Sequence, residues 1–327
     1  MSKKGTFAKS PIVFITGIAG FAGSYLAKEL LNAGYRVLGA VHPRESTANL
    51  ATTKTDLELV RLDIQSASRC RQLLKKAKPD FVCHLAAIAS VWRSFEMERT
   101  VYRVNFEGTL NMLQAALEIS HLRKFLFVSS ADCYGIFSPK NKTLTEAQPL
   151  NPVSPYALSK AVAEQACQYY RQQYGLPVTI SRAFAHSGPR QSEDFVIPSF
   201  ARQIALIEKN NRKQVITVGN LTAKRDISDV RDIVRGYHRL LEKGKAGRVY
   251  NLCSGKAVTI QTVLNSLLGL STRKIRVKTD PARLRKIDIP VQRGDNTRAV
   301  QEVSYETRYS LRRTLKDTLD YWRNKIK

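Results

Sequence analysis

Tyr156 and Lys160 stand four residues apart in the run Tyr156-Ala157-Leu158-Ser159-Lys160. On a helix that spacing puts both side chains on one face, so an ammonium can sit beside a phenol. The positive charge favours the phenolate and lowers an ionisation that ordinarily lies near ~10. A tyrosine tuned in this way passes a proton to or from a substrate oxygen near neutral pH. The same spacing also belongs to ordinary solvated helix pairs, so its meaning depends on its surroundings. Upstream, Thr16-Gly17-Ile18-Ala19-Gly20-Phe21-Ala22-Gly23 follows the apolar run Pro11-Ile12-Val13-Phe14-Ile15 and opens a segment with Tyr25, Leu26, Leu30 and Leu31 at helical spacing. Glycines so placed serve a tight turn, the close approach of a pyrophosphate and the packing of helix on strand. The helix N-terminus offers free N–H groups to the phosphates.

The elements that must position these residues alternate. Strand-like runs at 11–15, 35–41, 57–61, 80–85, 124–129 and 177–181 are separated by helical patterns near 21–33, 66–77, 100–118 and 155–174. This order predicts an α/β fold, a doubly wound parallel sheet of the Rossmann type with a smaller C-terminal α/β substrate lobe. Ligands of such sheets bind beyond the carboxyl ends of the strands. There the sequence places the glycine loop, Asp63-Ile64, Leu85-Ala86-Ala87 and Ser129-Ser130. The expected division is residues 8–182, with about 225–255 returning, for the dinucleotide domain, and 183–224 with 256–327 for the lobe. A last helix near 310–324 carries Leu311, Leu315, Leu319 and Trp322 on one stripe, a core-facing pattern.

The bulk numbers bound the function. A chain of 327 residues with 43% hydrophobic content can bury a sizeable core, and no apolar run approaches the ~20 residues of a membrane helix. The basic start Met1-Ser2-Lys3-Lys4-Gly5 runs into the first strand, so no signal peptide is expected. Five scattered cysteines without a C-x-x-C pair, and five scattered histidines, predict reduced thiols, a cytoplasmic protein and no metal site. A net charge of +26 keeps nucleic acid in view as a partner. The excess is spread along the chain without an uninterrupted basic tract, so nucleic acid is not the expected partner.

The end of the second strand chooses the cofactor. An acid there holds an adenosine ribose, whereas a basic residue accommodates a 2′-phosphate. Here Val41 is followed by His42-Pro43-Arg44 with no carboxylate. Arg44 can clamp a phosphate bidentately, which predicts NADP(H) over NAD(H). Asp63 has two readings, a contact with the adenine amino group or a helix N-cap.

T-G-x-x-G-F-x-G, the segment His84–Ala87, V-S-S-A-D-C-Y-G at 128–135 and Y-A-L-S-K together resemble the extended short-chain dehydrogenases/reductases acting on nucleotide sugars. The C-terminal half resembles the members that handle GDP-mannose derivatives, a 4,6-dehydratase and a reductase of 4-keto-6-deoxy sugars. It does so through Arg182–Pro189 with Gln191 and Phe195–Pro198, through Gly219–Asp226, and through Asp280–Arg285 with Asp288, Ile289-Pro290 and Gly294-Asp295. The resemblance implies Ser130, Asp132, Tyr156 and Lys160 as catalytic residues. It implies Gly17, Ala19, Gly20, Phe21, Ala22, Gly23, Arg44, Asp63, Ile64, Leu85, Ala86, Ala87 and His186, with Tyr156 and Lys160, at the cofactor. Ser90, Ser130, Glu193, Asn220, Arg225, Arg285 and Asp288 would meet a GDP-linked 4-keto-6-deoxy sugar. Reduction of the sugar C4 ketone by NADPH is the activity implied, in a homodimer. Dehydration or epimerisation of a nucleotide sugar is the runner-up, and a non-catalytic, nucleic-acid-associated cofactor binder is the reading of another class. Asp132 stands where the dehydratase has Glu, Ala131 where related dehydratases have an acid, Ala185 where Asn is usual, and Lys286 where Pro is typical.

Overall fold

The protein is described by a computed structural model covering residues 10–51, 53, 56–137, 143–210, 214–284 and 287–326. Arg285 and Lys286, singled out above, lie outside the described residues. Strand β1 (Ile12–Thr16) is apolar on both faces, with Val13, Phe14 and Ile15 fully buried, as a central parallel strand requires. It is flanked by β2 (Arg36–Val41) on one side and β4 (Phe81–His84) on the other. Strand β3 (Glu58–Arg61) extends the β2 side, and β5 (Lys124–Ser130), β6 (Val178–Ala183) and β10 (Val249–Leu252) extend the β4 side. Among the described residues these seven parallel strands run in the order β10-β6-β5-β4-β1-β2-β3. Helices α1 (Phe21–Asn32) and α8 (Val230–Lys243) cover one face; α2 (Ala67–Ala77), α5 (Gly108–Leu117) and α6 (Pro155–Tyr174) cover the other.

Helix α6 shows why its ends lie where they do. Ser154 caps it by accepting the Ala157 N–H at 3.1 Å, Pro155 occupies the first turn, and Gly175 closes it in the left-handed region. Before it, α3 (Val91–Glu96) and α4 (Glu98–Tyr102) lead into a π turn, Arg103–Glu107, that continues without a break into α5. The short α3 carries no apolar periodicity long enough to read in the sequence; Ser90 caps it, accepting from the Arg93 N–H at 3.3 Å.

The segment beyond 183 forms a second core. Strand β9 (Lys224–Asp229) pairs with β7 (Ala185–Ser187), β11 (Ala257–Thr259) and β13 (Val291–Gln292). Helices α7 (Val196–Asn210), α9 (Ile260–Leu268) and α11 (Leu311–Lys325) pack around a separate apolar cluster that includes Leu315, Leu319 and Trp322. Strands β8 (Val215–Val218) and β12 (Arg276–Thr279) make a small parallel pair beside it. The chain therefore divides differently from the expected 225–255 return. Strand β9 belongs to the second sheet, and only α8 and β10 rejoin the first. Helix α10 (Thr297–Val303), expected in the lobe, buries Ala299 and Val303 with Tyr305 in the first core. The reason is chain economy: β9 runs directly into α8 through the Asp229 cap, so one connection serves both cores.

Candidate active site

A cleft of about 1670 Å³ opens at the carboxyl ends of the main strands and runs on into the lobe. Every described residue singled out from the sequence for catalysis, cofactor or substrate borders it.

At the β1 end, Gly17 has φ +69°, and a Cβ there would lie 2.9 Å from the Ala86 backbone. Only glycine lets the loop pass this close to the end of β4. A Cβ on Gly23 would meet Ile18 Cα at 2.8 Å, so α1 can seat against the loop only through a glycine. The loop's free N–H groups at the start of α1 suit a dinucleotide pyrophosphate. Beside it Arg44 borders the cleft, and its guanidinium meets no partner among the described residues. The loop bearing it is tied down by Arg61, whose Nη1 donates to the carbonyls of His42 (3.0 Å) and Glu45 (2.9 Å). Asn49 donates to the Ala19 carbonyl at 3.0 Å, and Arg190 donates to the Asn49 carbonyl at 2.7 Å. Asp63 is not a helix cap: its Oδ1 accepts the Gln65 N–H at 3.0 Å, and Ser66 holds the N-cap position of α2. His186 stacks on Phe21 at 6.0 Å and reaches the Phe184 carbonyl through Nδ1 at 2.9 Å; burial lowers its pKa.

A buried relay links this end to α6. Thr16 Oγ1 accepts the N–H groups of Leu85 and Ala86 at 3.2 Å each, which leaves its own proton for His84 Nδ1 at 2.7 Å. Thr109 gives its proton to the Asn105 carbonyl at 2.6 Å, so it accepts from His84 Nε2 at 3.0 Å. This assigns the neutral Nε2–H tautomer. Burial first, and then the charge of Lys160, press the His84 pKa down to about 3. Asn105, on the π turn, brackets Ile88 by accepting its N–H (2.8 Å) and donating to its carbonyl (3.1 Å). It also donates to Ser159 at 2.9 Å, and Ser159 donates to the Tyr156 carbonyl at 2.7 Å.

Tyr156 differs from expectation. Its phenol was to be acidified by Lys160; instead burial pushes its pKa up, the Asp132 carboxylate pushes the same way, and a hydrogen bond with Ser130 opposes them. The reason is where Lys160 points: its ammonium donates to the Val128 carbonyl at 2.7 Å and lies 5.0 Å from the Phe127 ring centre. Burial brings the Lys160 pKa down to about 8. Ser130 ends β5, and its hydroxyl accepts the Asp132 N–H at 3.1 Å, opening the 3-10 turn Ala131–Tyr134. Beneath that turn lies a buried ion pair. Arg182 Nη2 and Glu164 Oε1 are 2.5 Å apart, Ser129 donates to Glu164 at 2.8 Å, and the Arg182 guanidinium covers the Tyr134 ring at 4.7 Å.

At the lobe end, Asp288 joins two other residues of the sequence reading. Arg225 Nη2 lies 2.7 Å from its Oδ1, and Asn220 donates to its Oδ2 at 2.9 Å. Arg225 also donates to the Ile289 carbonyl at 2.6 Å. Glu193 is paired with Arg202 at 2.8 Å on the rim, and Ser90 spends its hydroxyl as the α3 cap while bordering the cleft. The sequence reading missed Gln292, Asn49 and Arg190. Gln292 lies 160 residues from Asp132, to which it donates at 3.1 Å. Glu164 carried a readable signal: a carboxylate at i+4 from Lys160 and i+8 from Tyr156, on the same helix stripe.

A model of the GDP-mannose 4,6 dehydratase family matches residues 14–318 of the chain. Over 319 residues the chain is 31% identical to the GDP-6-deoxy-D-mannose reductase of Pseudomonas aeruginosa, covering 96% of this chain and 98% of that protein. The solved structure of RMD from Pseudomonas aeruginosa complexed with NADPH matches with a TM-score of 0.83 at 30% identity, over 97% of this chain and all of that one (100%). The UDP-glucose 4-epimerase of Thermotoga maritima with UDP-glucose matches at 0.87 and 25% identity, over 97% and 100% of the two chains.

Proposed function

The chain belongs to the GDP-mannose 4,6 dehydratase family, and we propose that it works there as an NADPH-dependent reductase of the C4 ketone of a GDP-4-keto-6-deoxy-hexose. The observation that carries this reading is the state of Tyr156. A phenol buried and pushed toward its protonated form, bordering one cleft with the glycine loop, suits the donor of a ketone reduction. NADPH, when bound, supplies the hydride. As the carbonyl carbon accepts that hydride, its π pair moves onto oxygen, and Tyr156 gives the oxygen a proton. Ser130 donates a hydrogen bond to the same oxygen while charge develops. The Lys160 ammonium steadies the tyrosinate until solvent returns a proton. The glycine loop and Leu85–Ala87 would hold the dinucleotide, Ile64 and Asp63 its adenine, Arg44 its 2′-phosphate, and His186 the nicotinamide side.

Asn220, Arg225 and Asp288 would receive the GDP moiety, the guanidinium on the diphosphate and the carboxylate on ribose hydroxyls; Glu193 would meet the guanine edge. Ala185, on β7 at the cleft wall, offers a methyl where an amide is usual, which leaves room on the sugar side.

The direct test offers purified protein GDP-4-keto-6-deoxy-mannose with NADPH and follows cofactor oxidation. Turnover with a GDP-6-deoxy-hexose as product is expected. Absence of turnover, together with water loss from GDP-mannose in the presence of NADP+, would replace this reading with a 4,6-dehydratase.

A homodimer through α4–α5 and α6 belongs to the same proposal. Leu158, Val162 and Tyr169 lie exposed along α6, an apolar stripe that a second copy would cover. Light scattering reads this directly, and a monomeric mass at working concentration would overturn it. No described helix is long and apolar enough to cross a membrane. The five cysteines are free and buried, which fits a cytoplasmic setting.

A further inference from the structure

A carboxylate beside a ketone site carries a chemical hazard. A carbonyl oxygen held by hydrogen-bond donors acidifies the C–H on the neighbouring carbon, and a carboxylate within reach can take that proton. Asp132 is such a group: it lies two residues from Ser130, borders the same cleft, and its charge acts on Tyr156. Its one side-chain hydrogen-bond donor among the described residues is Gln292, whose Nε2 lies 3.1 Å from Oδ1. Gln292 is 2% exposed and sits on β13, paired in register with Arg225 of β9. Its backbone is therefore fixed by the lobe's sheet, while its amide crosses to the 3-10 turn of the main domain. A hydrogen bond from a buried amide both occupies a carboxylate lone pair and fixes the direction of the others.

We propose that Gln292 is a specificity-determining positioning residue: by holding Asp132 Oδ1 it keeps the carboxylate from acting as a base on the carbon beside the substrate ketone, and so confines the site to carbonyl reduction. The inference rests on the reductase reading above. The reaction it suppresses is balanced without any further reagent. The carboxylate takes the proton from the carbon next to the ketone, the C–H pair becomes the C=C bond of an enolate, and the carbonyl π pair moves onto oxygen. Return of a proton from solvent to the same face regenerates the ketone with its hydrogen exchanged for one from water, and return to the opposite face leaves the epimer.

The test measures deuterium entering GDP-4-keto-6-deoxy-mannose at C5 in D2O, by mass and NMR, with the protein saturated in NADP+ so that no reduction competes. NADPH oxidation is measured in parallel. Gln292→Met and Gln292→Leu both remove the donor and approximate its volume, so loss of folding in one leaves the other to report. The wild type is expected to exchange slowly. The variants should exchange at least about 10-fold faster while keeping NADPH oxidation within that factor. Adding Asp132→Asn should return exchange to the wild-type rate or below. A merely structural role for Gln292 would lower reduction without creating exchange. Wild-type exchange rates in folded variants, or fast exchange that survives Asp132→Asn, would overturn the proposal. Should the wild type not oxidise NADPH with this ketone, the reductase reading falls, whereas the exchange series still reports on Gln292.

Discussion

Tyr156 and Lys160 are coupled through their surroundings more than through direct contact. Burial favours the neutral form of each, so the phenol is pushed up and the ammonium down to about 8. This has a consequence for rate. In the free enzyme Lys160 is charged below about 8 and neutral above it. The ammonium is needed to steady the tyrosinate, so kcat/KM should fall as pH rises through that value, with the limb shifted upward when anionic cofactor is bound. A kcat/KM profile flat to pH ~10, where an unperturbed lysine titrates, would show that burial does not lower the Lys160 pKa in the working enzyme. Tyr156→Phe removes the proton donor and leaves the ring, so kcat should drop by about 10²–10⁴ while the NADPH dissociation constant stays within a few-fold. Fluorescence titration separates the two effects. The residue types and their spacing were legible from the start because Y-x-x-x-K needs only a helix. The direction of the Tyr156 shift was not, because it depends on burial and on Asp132, which reaches the site from the 3-10 turn after β5.

At the scale of elements, two buried polar assemblies hold the ends of the strands in place. The Arg182–Glu164 pair joins β6 to α6 and carries Ser129 of β5 between them. Removing one partner strands a charge in the interior, so Arg182→Met should cost about 3–5 kcal/mol, read as a shift in denaturant midpoint. The His84 relay joins β4 to β1 and to α5. Its folded pKa of about 3 lies below the ordinary ~6.5, so between these values the unfolded chain binds the extra proton. Stability should therefore be lost as pH falls from ~6.5 toward 3, with a slope of up to about 1.4 kcal/mol per unit from this group. His84→Gln should flatten that part of the curve. The parallel strands were readable because a sheet covered on both faces demands short apolar runs between helical ones. What escaped were connections between distant segments. Strand β9 is mostly polar, and nothing local says which sheet it joins; Gln292 lies in no motif, and its partner is 160 residues away.

For the whole molecule the governing number is +26. Both proposed ligands are polyanions, and a positive field speeds their encounter and their retention. Raising ionic strength from about 0.01 M to about 1 M shortens the Debye length from ~30 Å to ~3 Å. KM for the GDP-sugar should rise several-fold over that range while kcat changes little, and a flat KM would mean that the charge serves something else. The lobe and the main sheet meet along the cleft, so the long-range field and the short-range contacts of Arg44 and Arg225 act on the same two ligands. The π turn at Arg103–Glu107 shows how the main domain keeps its parts in step. An α-helix advances about 100° per residue, and a π turn absorbs one residue beyond that rhythm. The surplus lets one rod aim Asn105 at Ile88 and Ser159 while Met112, Leu113 and Ala116 further along face the apolar interior. Deleting a single residue between Val101 and Met112 would turn one of these faces away by roughly a third of a revolution. Between those two positions the length of the chain is held as tightly as Asn105 and Thr109 themselves.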